Sequence, residues 1–269
     1  MSGVERAASA AAAIRECQRV LEASGRTLAQ EAVANAATIG DWQHYPPGDV
    51  YDPVSHAQYF YHCHPQGPSA AERQSEHGHF HLFLRAAGMP HGVAPFMLPE
   101  AAIALPPPKA PVKPQAAPEQ RGARDPVCHL VAIALDRSGK AVRLFTTNRW
   151  VTGETWYRAD DVIRMLDRVT LDAAEPSTIV GRWVAAIVRL YQPEIAKLLR
   201  ERDKTVMDPR RRRRKIDVFE DPRIEITSSH EIDVDARLGA VDRLVSEPAS
   251  AAPPAAAPAI PRLADGWGS

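Results

Sequence analysis

The sequence predicts an α+β domain: an antiparallel sheet of four to five strands packed by N-terminal and C-terminal helices. Three observations carry this. Residues 127–135 and 140–147 are apolar runs flanking the turn Asp136-Arg137-Ser138-Gly139, the clearest hairpin in the chain. Upstream, residues 59–64 and 76–85 are short, aromatic and apolar, bounded by Pro53, Pro65, Gly67, Gly88 and Pro90, and so read as two more strands. Helical periodicity appears only outside these runs, in residues 4–39 and 158–206.

Taken in order, residues 1–40 form N-terminal helices that pack on the core. Ile14, Cys17 and Leu21 make one helical stripe, Gly25 can end it, and Thr27-x-x-Gln30 is a capping box for a second helix. Residues 41–98 hold the first part of the sheet. Pro46 and Pro47 forbid helix there, and Asp52-Pro53 favours a turn that folds a short strand at Val50-Tyr51 onto the next. Residues 99–125 are rich in proline and alanine and read as a linker or insertion. Residues 126–206 return to the same domain with the hairpin and the C-terminal helices. Asp160 and Asp161 suit a helix start, Pro176-Ser177 begins another, and Pro193 kinks or restarts it. Residues 207–245 are a basic and acidic extension, with a short strand near 224–226 and a last helix near 235–245. Residues 246–269 have the composition of a disordered tail.

Composition narrows the function classes. Lysine plus arginine total 33, as do aspartate plus glutamate, so the net charge of zero gives no global attraction to nucleic acid or anionic membranes. The basic run 210–215 is followed at once by Asp217, Glu220 and Asp221, which argues for a solvated link rather than a phosphate-binding patch. No apolar run is long enough to span a bilayer. Three widely spaced cysteines and the lack of a secretion signal point to a reducing cytoplasm. The sequence names no partner; a small-molecule ligand is compatible with it, and nucleic acid is disfavoured.

The chemistry concentrates in Glu76-His77-Gly78-His79-Phe80-His81 and Tyr59-Phe60-Tyr61-His62-Cys63-His64. Strand side chains alternate, so His77, His79 and His81 share a face, as do His62 and His64, with Cys63 opposite. If the strands pair with matching faces, up to five imidazoles project from one side. Imidazole is the commonest metal ligand. Two of His77, His79 and His81 plus His62 or His64 could hold one divalent transition metal, zinc being favoured, with an open position for a hydrolytic water. Glu76 is the nearest candidate general base. A second polar stretch follows the hairpin: Arg149 offers a fork for an anionic substrate, and Asn148 and Trp150 offer binding groups. Trp42, His44, Tyr45 and Asp49 could line the mouth of the site. Against these stand blander readings. The histidines can hydrogen-bond one another, Arg149 can pair with a local carboxylate, and the tryptophans can be core. The leading expectation is a metal-dependent hydrolase. The alternatives are a non-catalytic small-molecule or metal-binding module and an interaction protein with no active site.

Two resemblances attach to these residues. His77-Gly78-His79-Phe80-His81-Leu82-Phe83 is locally similar to the histidine-triad motif of nucleotide hydrolases and transferases, which implies His79 as a phosphate nucleophile without metal. It departs at Gly78, where that family carries a bulkier apolar residue, and the family's upstream helix is missing. Residues 42–52, 76–84 and 144–154 together resemble a bacterial domain family of unknown function, over about residues 10–205 of this chain. That implies a bacterial cytoplasmic protein and carries over no activity and no residue role.

Overall fold

The computed structural model describes residues 2–34, 36, 40, 43–63, 76–96, 126–208 and 217–246. Among them the order is α1 (Gly3–Ala23), α2 (Leu28–Ala32), β1 (Tyr45–Tyr51), β2 (Ala57–Cys63), β3 (Glu76–Arg85), β4 (Val127–Asp136), β5 (Ala141–Thr147), α3 (Arg149–Thr152), α4 (Ala159–Leu166), α5 (Thr178–Leu190), α6 (Gln192–Met207), β6 (Ile226–Glu231) and α7 (Val234–Ser246). The strands form one sheet in sequence order, every neighbour antiparallel. The sheet therefore has six strands, not four to five. The two edges account for the difference. In β1, Pro46, Pro47 and Gly48 sit in an irregularity between Tyr45 and Val50, which masks the alternation. In β6, Ile-Thr-Ser-Ser-His-Glu carries almost no apolar signal. No helix among the described residues is long and apolar enough to cross a membrane.

The helices form where local chemistry places them. Ser2 and Thr27 both close capping boxes, with Glu5 and Gln30. Ile14, Cys17 and Leu21 are the buried stripe of α1. Ser177 caps α5, Pro193 lies in the first turn of α6, and α4 opens with Asp160 and Asp161. α1 lies against α5 and α7, and α4 against α6. One face of the sheet meets this layer. Tyr59, Tyr61, Phe80, Leu82, Leu84, Ile133, Leu135 and Leu144 join Ile14, Trp183, Ile187 and Leu198 in a single core. The Phe80 and Trp183 rings are 6.1 Å apart at its centre. Burial of this apolar area is the main force that holds sheet and helices together.

Two irregularities decide the composition of the other face. Between Leu82/Phe83 on β3 and Val131/His129 on β4 the register slips, with Leu130 as the extra residue. Unbroken alternation would put His129 on the core side with Val131 and Ile133; the bulge re-aims it, so that His129 pairs with Phe83 on the histidine face. A second slip lies between Glu76 and Gly78. It takes His77 out of the alternation.

Candidate metal centre

His62 on β2 is the cross-strand partner of His79 on β3, and Phe60 is the partner of His81. Matching faces therefore bring His62, His79 and His81 together, as the metal-site expectation requires. One nitrogen from each lies within 4.8 Å of the others. Adjacent ligand nitrogens of a tetrahedral zinc with bonds of 2.0–2.1 Å are about 3.3 Å apart, so small ring rotations close the set around one ion. His79 and His81 are buried and His62 is half-buried. On β4 the partners of His79 and His81 are Ala134 and Ala132. These two methyls leave the room that the rings fill. Phe145 stands edge-on to His79, with ring centres 5.0 Å apart, and Phe83 lies 5.2 Å from the His129 ring.

A chain of contacts runs behind the three nitrogens. His79 Nε2 is 2.9 Å from His81 Nε2, and His81 Nδ1 is 3.1 Å from His129 Nε2. The other His129 nitrogen, Nδ1, lies 3.5 Å from Thr147 Oγ1, and the His129 backbone N–H donates to Glu154 Oε2 at 2.7 Å. Burial, reinforced by the Arg202 charge, lowers the His129 pKa to about 3, so this ring stays neutral. If Nδ1–H of His81 donates to His129, then His81 Nε2 is a bare lone pair on the side facing His79. That is the tautomer a metal ligand needs, held by an outer partner. Burial raises the Glu154 carboxyl to about 7 despite Arg202 and the His129 N–H.

The remaining expected site residues fall elsewhere. His77 is not in the cluster: its Nδ1 lies 2.7 Å from the Tyr61 hydroxyl, on the core side of the bulge. Burial, with the Arg137 charge, lowers its pKa. Gly78 is required at this spot, because a Cβ there would stand 2.2 Å from the His62 carbonyl oxygen and 2.7 Å from the Tyr61 hydroxyl. This explains the departure from the histidine-triad pattern. Glu76 reaches the rim of the histidine face but accepts two bonds from Arg143, Nε to Oε1 at 2.6 Å and Nη2 to Oε2 at 3.0 Å, so it is held as an ion pair rather than poised as a base. Arg149 pairs with Asp217 and Glu220 at 3.0 and 2.7 Å and lies over Phe219. Asn148 is buried, caps α3 and donates to the Val218 carbonyl; Trp150 donates to the Ile224 carbonyl. These three residues fasten the 217–226 segment across the end of the sheet. Tyr45 is buried on the core face and its hydroxyl holds Gly40. His44 does come over the histidine face, its ring stacked 3.6 Å from Phe60. Cys63 is in the core, opposite its flanking histidine, as alternation predicts. Trp42, His64, the Pro-rich 99–125 stretch and the basic run 210–215 lie outside the described residues.

His129 belongs to the cluster although its strand parity in the sequence gives it to the other face. The pattern Ala132-x-Ala134 is the sequence signal that the histidine face of β4 had to be small. The gathering of Phe60, Phe83 and Phe145 around the imidazoles has no local signature, since each comes from a different strand. Their apolar rings pack around His79 and His81.

No curated protein and no solved structure matches the chain. A match to the family described as domain of unknown function DUF6969 spans residues 8–232, and the chain belongs to that family.

Proposed function

We propose that His62, His79 and His81 hold one divalent transition metal, zinc by preference, and that the centre is hydrolytic. The supporting observation is the convergence of the three ring nitrogens within 4.8 Å of one another on two paired strands. Three neutral nitrogen ligands suit zinc, and three protein ligands leave a fourth position open. When bound there, the cation supplies Lewis-acid polarisation and an acidified water. The protein's own part is to fix the rings. Ala132 and Ala134 give them space, His129 and Thr147 orient His81 from behind, and the phenylalanines pack around His79 and His81.

A second reading is a module that binds metal or a small molecule without turning it over. The observation favouring it is the double pairing of Glu76 with Arg143, which removes the nearest carboxylate from acid–base work. Elemental analysis of protein loaded with zinc and then desalted tests the shared premise. Close to one zinc per chain is expected for the wild type, with most of it lost in His79→Ala. A wild type that retains no zinc, manganese or iron after loading contradicts both readings. Zinc retained without hydrolysis of any ester, amide or phosphoester leaves the second.

A further inference from the structure

We infer that His44, oriented by Asp49, is the acid–base residue of the histidine site; this rests on the metal-centre reading above. A hydrogen-bonded line runs along the rim of the face from Arg85 to His44. Arg85 Nε donates to Gln58 Oε1 at 2.7 Å, Gln58 Nε2 donates to Asp49 Oδ2 at 2.6 Å, and Asp49 Oδ1 lies 3.0 Å from His44 Nδ1. The ends of this line leave no choice inside it. A guanidinium only donates and a carboxylate only accepts, so the Gln58 amide can sit only one way round. The carboxylate must likewise receive a proton from His44 Nδ1. The neutral ring is then the Nδ1–H tautomer, and Nε2 carries the lone pair.

The placement is equally constrained. Asp49 adopts φ +59°, an uncommon conformation for a residue other than glycine, in the irregular Pro46-Pro47-Gly48 segment of β1. The Asp49 side chain is almost wholly buried, at 4 %, while His44 keeps 27 % exposure. The imidazole lies flat on Phe60, 7° from parallel. Phe60 is the cross-strand partner of His81 and lies two residues from His62 on the same strand face. A ring of fixed tautomer is thus stacked on the phenylalanine that borders His62 and His81, with a buried carboxylate behind it. A histidine whose Nδ1–H is held by a carboxylate presents Nε2 as a base and is stabilised once protonated.

For a carboxylic ester the step balances as follows. Water adds to the carbonyl carbon while one of its protons passes to His44 Nε2. The C–O bond to the leaving group then breaks, and the same proton goes from Nε2 to the departing oxygen, giving acid and alcohol and restoring the neutral ring. Asp49 and Gln58 are positioning residues in this scheme.

Three proteins test it: wild type, His44→Gln and Asp49→Asn, each loaded with zinc. The probes are 4-nitrophenyl acetate hydrolysis and the ¹⁵N NMR signals of the His44 ring, identified by their loss in His44→Gln. Glutamine keeps a planar amide on Phe60 and a donor toward Asp49 but carries no proton between partners. The expected result is about one zinc in all three, an ester rate about 10²-fold lower in His44→Gln, and an Nδ1–H ring in the wild type. In Asp49→Asn the amide oxygen must still face Gln58, so its NH2 faces His44 and the ring switches to Nε2–H. Zinc absent from the wild type would sink the metal centre and this inference together. Zinc present with equal ester rates in wild type and His44→Gln, including no rate above buffer in either, would overturn this inference alone. An Nε2–H ring in the wild type would do the same.

Discussion

The two faces of the sheet are built from the same strands and are held by different means. The helix-covered face is aliphatic and aromatic, a continuous apolar core from Ile14 to Leu198 in which strand tyrosines are among the few polar residues. The opposite face is buried too, but its centre is imidazole. His79, His81 and His129 touch ring to ring, with Ala132, Ala134 and Phe145 as a small apolar cluster beside them and Phe60 and Phe83 against His81. Fully buried polar rings are tolerable only where their nitrogens find partners. The first face can absorb conservative aliphatic changes. The second depends on parity, and two bulges set that parity by excluding His77 and recruiting His129.

The largest expected contrast comes from truncating matching aromatic positions. Phe80 is fully buried at the helix interface. Phe80→Ala should cost about 3–5 kcal/mol in guanidinium unfolding while leaving zinc bound per folded molecule unchanged. Phe145→Ala, on the histidine face, should lose zinc affinity as well as stability, because Phe145 packs edge-on against His79. Equal zinc affinity in the two variants would break the division between the faces.

Glu154 gives the next effect. Its folded-state pKa of about 7 is above its ordinary 4.5. The folded state therefore holds a proton that the unfolded chain has already released between those values. The stability linked to this group is fully present below 4.5 and is lost as pH rises through about 7. Glu154→Gln should remove that loss. The stability difference between variant and wild type should rise in the variant's favour by up to about 3 kcal/mol from pH 4.5 to pH 8. His129, lowered to about 3, has the opposite slope but is present in both proteins and cancels. A flat difference curve would show that the carboxyl behind His129 ionises normally.

The smallest effect is expected at Arg149, whose ion pairs with Asp217 and Glu220 are partly exposed. Arg149→Ala should cost about 1 kcal/mol, less at high salt, and should not alter zinc binding. Loss of zinc there would return this loop to the site.

Much of this was legible in the sequence for physical reasons. β2, β3 and β4 are readable as strands because they are short, apolar and buried along nearly their whole length, and the capping box at Thr27 is local chemistry. The family and the α+β class followed from such blocks. The edge strands were harder, since β6 buries little and β1 is interrupted by two prolines and a glycine. Within the site, His62, His79 and His81 were readable from period two. The exclusion of His77 was not, because a bulge depends on the partner strand's register and not on the residues beside it. The fates of Glu76 and Arg149 were hidden for a related reason: their partners, Arg143 and Asp217 with Glu220, lie 67 to 71 residues away.

X-ray absorption at the zinc edge of the loaded wild-type protein reads the ligand set itself. The account predicts three imidazole nitrogens and one further light atom at about 2.0–2.1 Å, with the imidazole scattering reduced in His62→Ala. A sulfur shell at about 2.3 Å, or six oxygen neighbours without imidazole, would place the zinc elsewhere and contradict a centre built from His62, His79 and His81.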